Sequence, residues 1–199
     1  MAKEEMMDLG SILVQSELEA LTIKKLNIVE TANAHGWMEL VFLSGKALTT
    51  EDCLRYQDSP IQVQTREGDV VFCGLCKAIG LKQLNAYTEV QVMACTYSIL
   101  TDQEKKDATF QSEAKTLQQV LDRGIGSSGL VAVDEDISIP EMLSKEQETD
   151  WSFGRRIANQ YGKQLFVNGK TAGCQIHVGA RPFQVKKLGI AEPVCKTGM

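Results

Sequence analysis

The first half of the chain is a run of strand-length apolar segments joined by short turns, with no long helix between them, and that order admits few folds. Leu21-Thr22-Ile23-Lys24-Lys25-Leu26-Asn27-Ile28 carries alternating apolar positions, and Asn33-Ala34-His35-Gly36 is a turn signal before Trp37-Met38-Glu39-Leu40-Val41-Phe42-Leu43. That second segment is apolar on both faces, which places it centrally in a sheet. A short helical piece spans Thr49 to Tyr56, and Pro60 opens Ile61-Gln62-Val63-Gln64-Thr65. Arg66-Glu67-Gly68-Asp69 reads as a hairpin turn into Val70-Val71-Phe72-Cys73-Gly74-Leu75-Cys76, and a turn near Asn85 leads into the long run Tyr87 to Tyr97. Strands that follow one another directly pair antiparallel, so residues 1–105 are expected to form an antiparallel β-barrel-like domain.

The pattern changes near residue 105. A Lys/Asp-rich linker precedes a helix in which Phe110, Ala114, Leu117 and Leu121 step by four, three and four, with Val120 beside them and Gly124 just past the end. Ile137-Ser138-Ile139-Pro140 is a short extended piece. A second helix then reads clearly: Thr149 caps its start, Asp150 meets the helix dipole, and Gly162 supplies a left-handed stop. Phe153, Ile157 and Tyr161 form one apolar stripe between those caps, while Arg155, Arg156 and Gln160 fall outside it, in solvent or in an interface. Taken alone, such a stripe is ordinary core packing. Gln164 to Gly169 and Cys174 to Gly179 read as strands. The expected fold class is therefore α+β, mostly β: the barrel, then a smaller α+β connecting region over 106–199 with two helices.

Composition narrows the function classes. Hydrophobic residues at 43% and charged residues at 24% are those of a globular chain. A net charge of -5 gives no basic footprint, so no nucleic-acid binding is expected. The acidic start, Met1-Ala2-Lys3-Glu4-Glu5, is unlike a secretion signal, and no segment reaches membrane-span length; synthesis in the cytoplasm without membrane insertion is expected.

Each candidate chemical motif has a plainer structural reading. Cys73-Gly74-Leu75-Cys76 matches half of a zinc site or a redox dithiol, but no second ligand pair shares its spacing and it lies inside an extended run. Gly124-Ile125-Gly126-Ser127-Ser128-Gly129 has the dinucleotide spacing with helix and strand in reversed order, and reads as a helix-ending loop. Gly126-Ser127-Ser128-Gly129 does not fit a nucleophile elbow, and His35 and His177 read as turn or surface residues. Asp134-Glu135-Asp136 reads as a solvated loop. No catalytic residue, metal ligand or cofactor is expected, and the six cysteines are read as reduced, small apolar residues.

Two segments carry a resemblance. The run Glu148-Thr149-Asp150-Trp151-Ser152-Phe153-Gly154-Arg155-Arg156-Ile157-Ala158, ending at Gly162 and followed by an alternating strand, resembles the hub family of contractile injection machines. That family includes valine-glycine repeat protein G of type VI secretion, phage late control protein D and the baseplate hubs of contractile phage tails and tailocins. Upstream, Tyr97-Ser98-Ile99-Leu100-Thr101-Asp102 followed by Ala108-Thr109-Phe110-Gln111 resembles the family's passage from its first barrel into a helix. The resemblance implies a non-enzymatic structural hub: a homotrimer joining the hexameric inner tube to the trimeric spike among baseplate proteins, carried in a phage tail-like particle. This chain departs from the family's two-barrel pattern, with only the opening strand of a second barrel at Pro182-Phe183-Gln184-Val185. The alternatives are a small CxxC redox or zinc-binding protein, or a peptidoglycan-binding tail adaptor. On the hub reading, Phe110, Leu117, Trp151, Phe153, Arg156 and Ile157 are the structural and interface candidates, with Trp151 as an anchor for a neighbouring subunit because it lies off the Phe153 stripe.

Overall fold

Alternation in the first half is resolved as one six-stranded antiparallel sheet in the computed structural model, which describes residues 9–110 and 115–179. The strands are β1 (Ile12–Gln15), β2 (Ala20–Val29), β3 (Trp37–Ser44), β4 (Pro60–Thr65), β5 (Val70–Gln83) and β6 (Thr88–Thr96), in the order β1-β4-β5-β6-β3-β2. The sheet curls into a nearly closed barrel. Register matches the pleat: Met38, Leu40 and Phe42 of β3 oppose Ala94, Val92 and Val90 of β6, and all six are buried. Ile61, Val63, Phe72 and Cys76 fill the same core. β3 is interior to the sheet, between β6 and β2, but only one of its faces is fully buried. α1 (Thr50–Arg55) starts with a capping box in which Thr49 and Asp52 satisfy each other's backbone N–H groups, and it delivers Tyr56 into the core.

The second region comprises β7 (Lys105–Phe110), β8 (Lys115–Thr116), α2 (Leu117–Ile125), β9 (Leu130–Val133), β10 (Ser138–Ile139), β11 (Leu143–Thr149), α3 (Asp150–Gln160), β12 (Gln164–Val167) and β13 (Gln175–Gly179). β7 pairs with β11 and β8 with β10, both antiparallel, while β12, β13 and β9 form a small sheet with β9 parallel to β13. Two expectations are corrected here. The Lys/Asp-rich linker is strand β7, and Phe110 ends that strand; the helix begins only at Leu117, where Thr116 and Gln119 make its capping box. Pairing with β11, which lies far along the chain, overrides the local four-three-four spacing. Ala114 and the segment from Pro182 to Val185 lie outside the described residues.

α3 is built as its sequence suggests: the Thr149 hydroxyl accepts the Ser152 N–H, and Gly162 has φ +67° just past the helix end. Helix α2 crosses it closely enough that a Cβ at Gly124 would lie 2.1 Å from Phe153 Cε1. Leu117, Leu121, Ile125, Phe153, Ile157, Leu165, Ile176 and Val178 form the core around that crossing. Both edges of the small sheet meet side-chain amides. Gln118 donates from Nε2 to Val131 O and accepts from Val133 N, both at 2.9 Å, along the outer edge of β9. On β12 the Leu165 N–H donates to Asn33 Oδ1 at 2.9 Å and Leu165 O accepts the Asn33 N–H at 2.8 Å.

Candidate functional site

The turn between β2 and β3 carries the barrel's grip on the rest of the molecule. Asn33 sits at φ +61°, a conformation that asparagine tolerates better than most residues. From there it clamps Leu165 and also donates from Nδ2 to Asn159 Oδ1 of α3 at 3.4 Å. Two residues on, His35 stacks on Trp151, with ring centroids 4.2 Å apart and planes inclined by 37°. The 3-10 helix Tyr97–Asp102 fills the angle between the regions and contacts α3, β5, β6 and β13. His35 Nδ1 lies 2.8 Å from Ser98 Oγ, and Asp102 accepts the Thr149 hydroxyl at the head of α3. A backbone bond at 2.6 Å from Cys73 N to Gly169 O adds a further tie. The seam between barrel and α+β region is thus polar, directional and partly buried, a pattern that fixes relative orientation.

Trp151 is therefore buried within its own chain, not held out for a neighbour, because the barrel turn comes back to cover the face off the Phe153 stripe. Phe153 stacks on Phe110 with centroids 5.0 Å apart, so Phe110 reaches the helix core from its strand. Leu117 and Ile157 are also buried in that core. Arg156 is half-exposed and already engaged: Nε and Nη2 hold Glu148 at 2.9 and 2.7 Å, Nη2 reaches Ser144 O at 2.6 Å, and the guanidinium lies over Phe153. The Arg156 hydrogen bonds hold the Glu148 carboxyl below the usual range.

In sequence Asp150 reads as a helix-dipole partner only, and Lys145 carries no expected role. Lys145 and Asp150 are an ion pair, 2% and 3% exposed, joined by Lys106 at 3.0 Å and the Ser128 hydroxyl at 3.3 Å. Lys145 also donates to Gly124 O at 3.1 Å. The signal was present: Leu143 and Lys145 share one face of an alternating strand, so a buried Leu143 implies an inward Lys145.

The remaining motifs disperse. Cys73 and Cys76 lie on β5, where burial pushes both thiols up; Cys73 donates weakly to Gln62 Oε1 at 3.4 Å and Cys76 faces the barrel core. Burial pushes Cys95 and Cys174 to about 11. Among the described residues no three His, Cys, Asp or Glu side chains converge as a metal site. The Gly124–Gly129 segment begins in the last turn of helix α2, continues as a 3-10 turn over Gly126–Ser128, and β9 follows it. The acidic loop is exposed but engaged: Asp134 lies 2.6 Å from His177 Nε2 without hydrogen-bond alignment, Glu135 meets Lys163, and Asp136 accepts the Gln118 N–H. No described helix is long and apolar enough to cross a membrane.

The barrel's other end has the opposite character. The β5–β6 hairpin tip lies beside Leu48, whose carbonyl accepts from Gln83, and Leu21 packs on Gly45. Leu21, Leu84 and Tyr87 remain exposed there, so this end presents an apolar rim.

No family model matches the chain, and no curated protein matches it in sequence. Solved structures match its fold. A type VI secretion component of E. coli, described as structurally similar to T4 bacteriophage tail proteins gp27 and gp5, superposes with a TM-score of 0.57 at 12% identity, over 83% of this chain and 48% of its own. A tail protein from Neisseria meningitidis gives 0.62 at 11%, over 85% and 50%. A 43 kDa tail protein of prophage MuSo2 from Shewanella oneidensis gives 0.62 at 16%, over 85% and 53%. The chain spans about half the length of these structures. At such identities the likeness is one of fold, and the fold is that of phage tail and type VI secretion proteins.

Proposed function

We propose that this chain is a structural hub of a contractile injection machine of the phage tail, tailocin or type VI kind. The observation that carries the reading is the common fold: one barrel welded to an α+β region, shared with tail proteins at TM-scores up to 0.62. In this reading residues 1–105 are the tube-facing barrel and 106–199 the connecting region. The chain acts as a homotrimer and joins the hexameric inner tube to the trimeric spike among baseplate proteins of the particle. It has no catalytic role. A rigid, oriented seam suits a part whose task is to hold two neighbours in fixed geometry, and the apolar rim at the barrel's free end suits an assembly contact. Tail hubs of similar fold act on nothing covalently in this reading, so binding partners, not substrates, define the function.

The deciding experiment is particle mass by light scattering for the purified chain, alone and mixed with tube and spike proteins. A trimer that joins both supports the hub. A monomer that persists in every mixture overturns it.

A further inference from the structure

One chain of polar groups, buried at Thr96 and Ser98 and partly buried at His35 and Asp102, runs through the seam. The Gly36 N–H donates to Thr96 Oγ1 at 3.1 Å, Thr96 Oγ1 lies 2.8 Å from Ser98 Oγ, and Ser98 Oγ lies 2.8 Å from His35 Nδ1. His35 Nε2 lies 3.4 Å from Asp102 Oδ2, and the other carboxylate oxygen of Asp102 accepts the Thr149 hydroxyl, which itself accepts the Ser152 N–H. The proton bookkeeping has one consistent solution with a neutral ring. An ionised Asp102 only accepts, so Nε2 carries the ring proton and Nδ1 accepts. Ser98 then donates to Nδ1, and Thr96 donates to Ser98. Every hydroxyl proton has an acceptor.

Adding a proton at Nδ1 reverses that direction. Nδ1–H now donates to Ser98 Oγ, the Ser98 proton turns toward Thr96, and the Thr96 proton loses the acceptor that the relay gave it. Thr96 and Ser98 are 1% and 0% exposed, so water does not replace the lost partner cheaply. The charges around the ring divide. Asp102 favours the imidazolium and Arg155 of α3 opposes it, while Glu30, at the start of the same turn, packs against Gly36 and Gly169. Burial beside Trp151 outweighs the pull of Asp102, and the folded ring holds its proton less tightly than an exposed histidine.

We propose that His35 is an acid-released latch: protonation reverses the polarity of the buried Thr96–Ser98–His35 relay and loosens the barrel's hold on α3, leaving both cores folded. The proposal is independent of the hub reading. A folded pKa below the unfolded value means that the neutral ring favours the closed seam. The stability it gives is complete above the ordinary histidine value of 6.5 and is lost as pH falls from there through the lower folded value.

The test is a histidine NMR titration of the full chain, with His177→Gln assigning the second histidine. The latch requires a neutral Nε2–H tautomer at His35, a midpoint shifted below 6.5, and, at that same midpoint, a shift of the Trp151 indole signal with loss of hydrogen-exchange protection at the Asn33 and Leu165 amides. His35→Gln keeps hydrogen-bonding capacity but does not titrate, and should abolish the acid-dependent loss of protection. The wild-type titration decides the matter even if that variant folds poorly. A midpoint at or above 6.5, an Nδ1–H tautomer, or a Trp151 signal and seam amides unmoved through the His35 titration would overturn the proposal.

Discussion

The barrel and the α+β region solve the same problem with different materials. Among the described residues the barrel buries no charge: Ser44, Thr65, Thr88 and Thr96 are the buried polar residues of its strands. The α+β region buries Lys115, Lys145 and Asp150. The barrel is specified by register, since a one-residue slip of β3 against β6 would turn Met38, Leu40 and Phe42 away from the core. The α+β region has short strands and little ladder to specify it, and uses the Lys145–Asp150–Lys106 cluster to fix the corner where β11 becomes α3. Ladder-built structure tolerates a changed surface charge; corner-built structure depends on a few buried ones.

The sharpest way to break that contrast is Asp150→Ala. It leaves the Lys145 ammonium buried and unpaired and should cost about 3–5 kcal/mol, read by urea unfolding with Trp151 as the probe in a Trp37→Phe background. Replacing both partners, as Lys145→Met with Asp150→Leu, should recover most of the loss. If the double variant is as unstable as the single one, charge pairing is not what holds the corner.

A pair of glycine substitutions gives the next largest contrast. Gly124→Ala drives a methyl into the Phe153 ring and should cost about 1–3 kcal/mol. Gly80→Ala on β5 meets nothing closer than 3.9 Å and should leave the melting temperature unchanged or slightly raised. Equal losses at the two sites would mean that the barrel wall is packed as tightly as the helix crossing.

The smallest effect compares two ion pairs. Arg156→Ala removes a two-point grip on Glu148 and a bond to Ser144 O, for about 1 kcal/mol. Lys25→Ala removes one exposed contact with Glu39 and should change unfolding by less than about 0.5 kcal/mol. Because the Arg156 bonds lower the Glu148 pKa, their contribution is present above the ordinary glutamate range and fades as pH falls through the depressed value. A larger loss at Lys25 than at Arg156 would reverse the ranking of the two regions.

The barrel was legible because most of its strands alternate and three of its pairings, β2–β3, β4–β5 and β5–β6, join strands that follow one another in sequence; the β1–β4 and β3–β6 pairings reach further along the chain. The capped ends of α3 were legible for the same reason: Thr149 and Gly162 act within a few residues. β7 was not, since Lys105 to Phe110 is exposed along most of its length and becomes a strand only through β11. Phe110 still reaches the core, stacked on Phe153, but from a strand and not from the expected helix. The seam was the least legible part: Asn33 and His35 read as a turn, and nothing local reveals that Leu165 and Trp151 wait more than a hundred residues away.

Asn33 and Gln118 act as terminators of the small sheet. Gln118 presents the donor and acceptor of an incoming strand from its carboxamide, and Asn33 does so with its backbone N–H and its side-chain oxygen. A sheet ended in this way gives a crowded neighbour no template at those positions, so fibre-like growth through it is discouraged. Any contact between copies of this chain is left to faces other than these two edge positions.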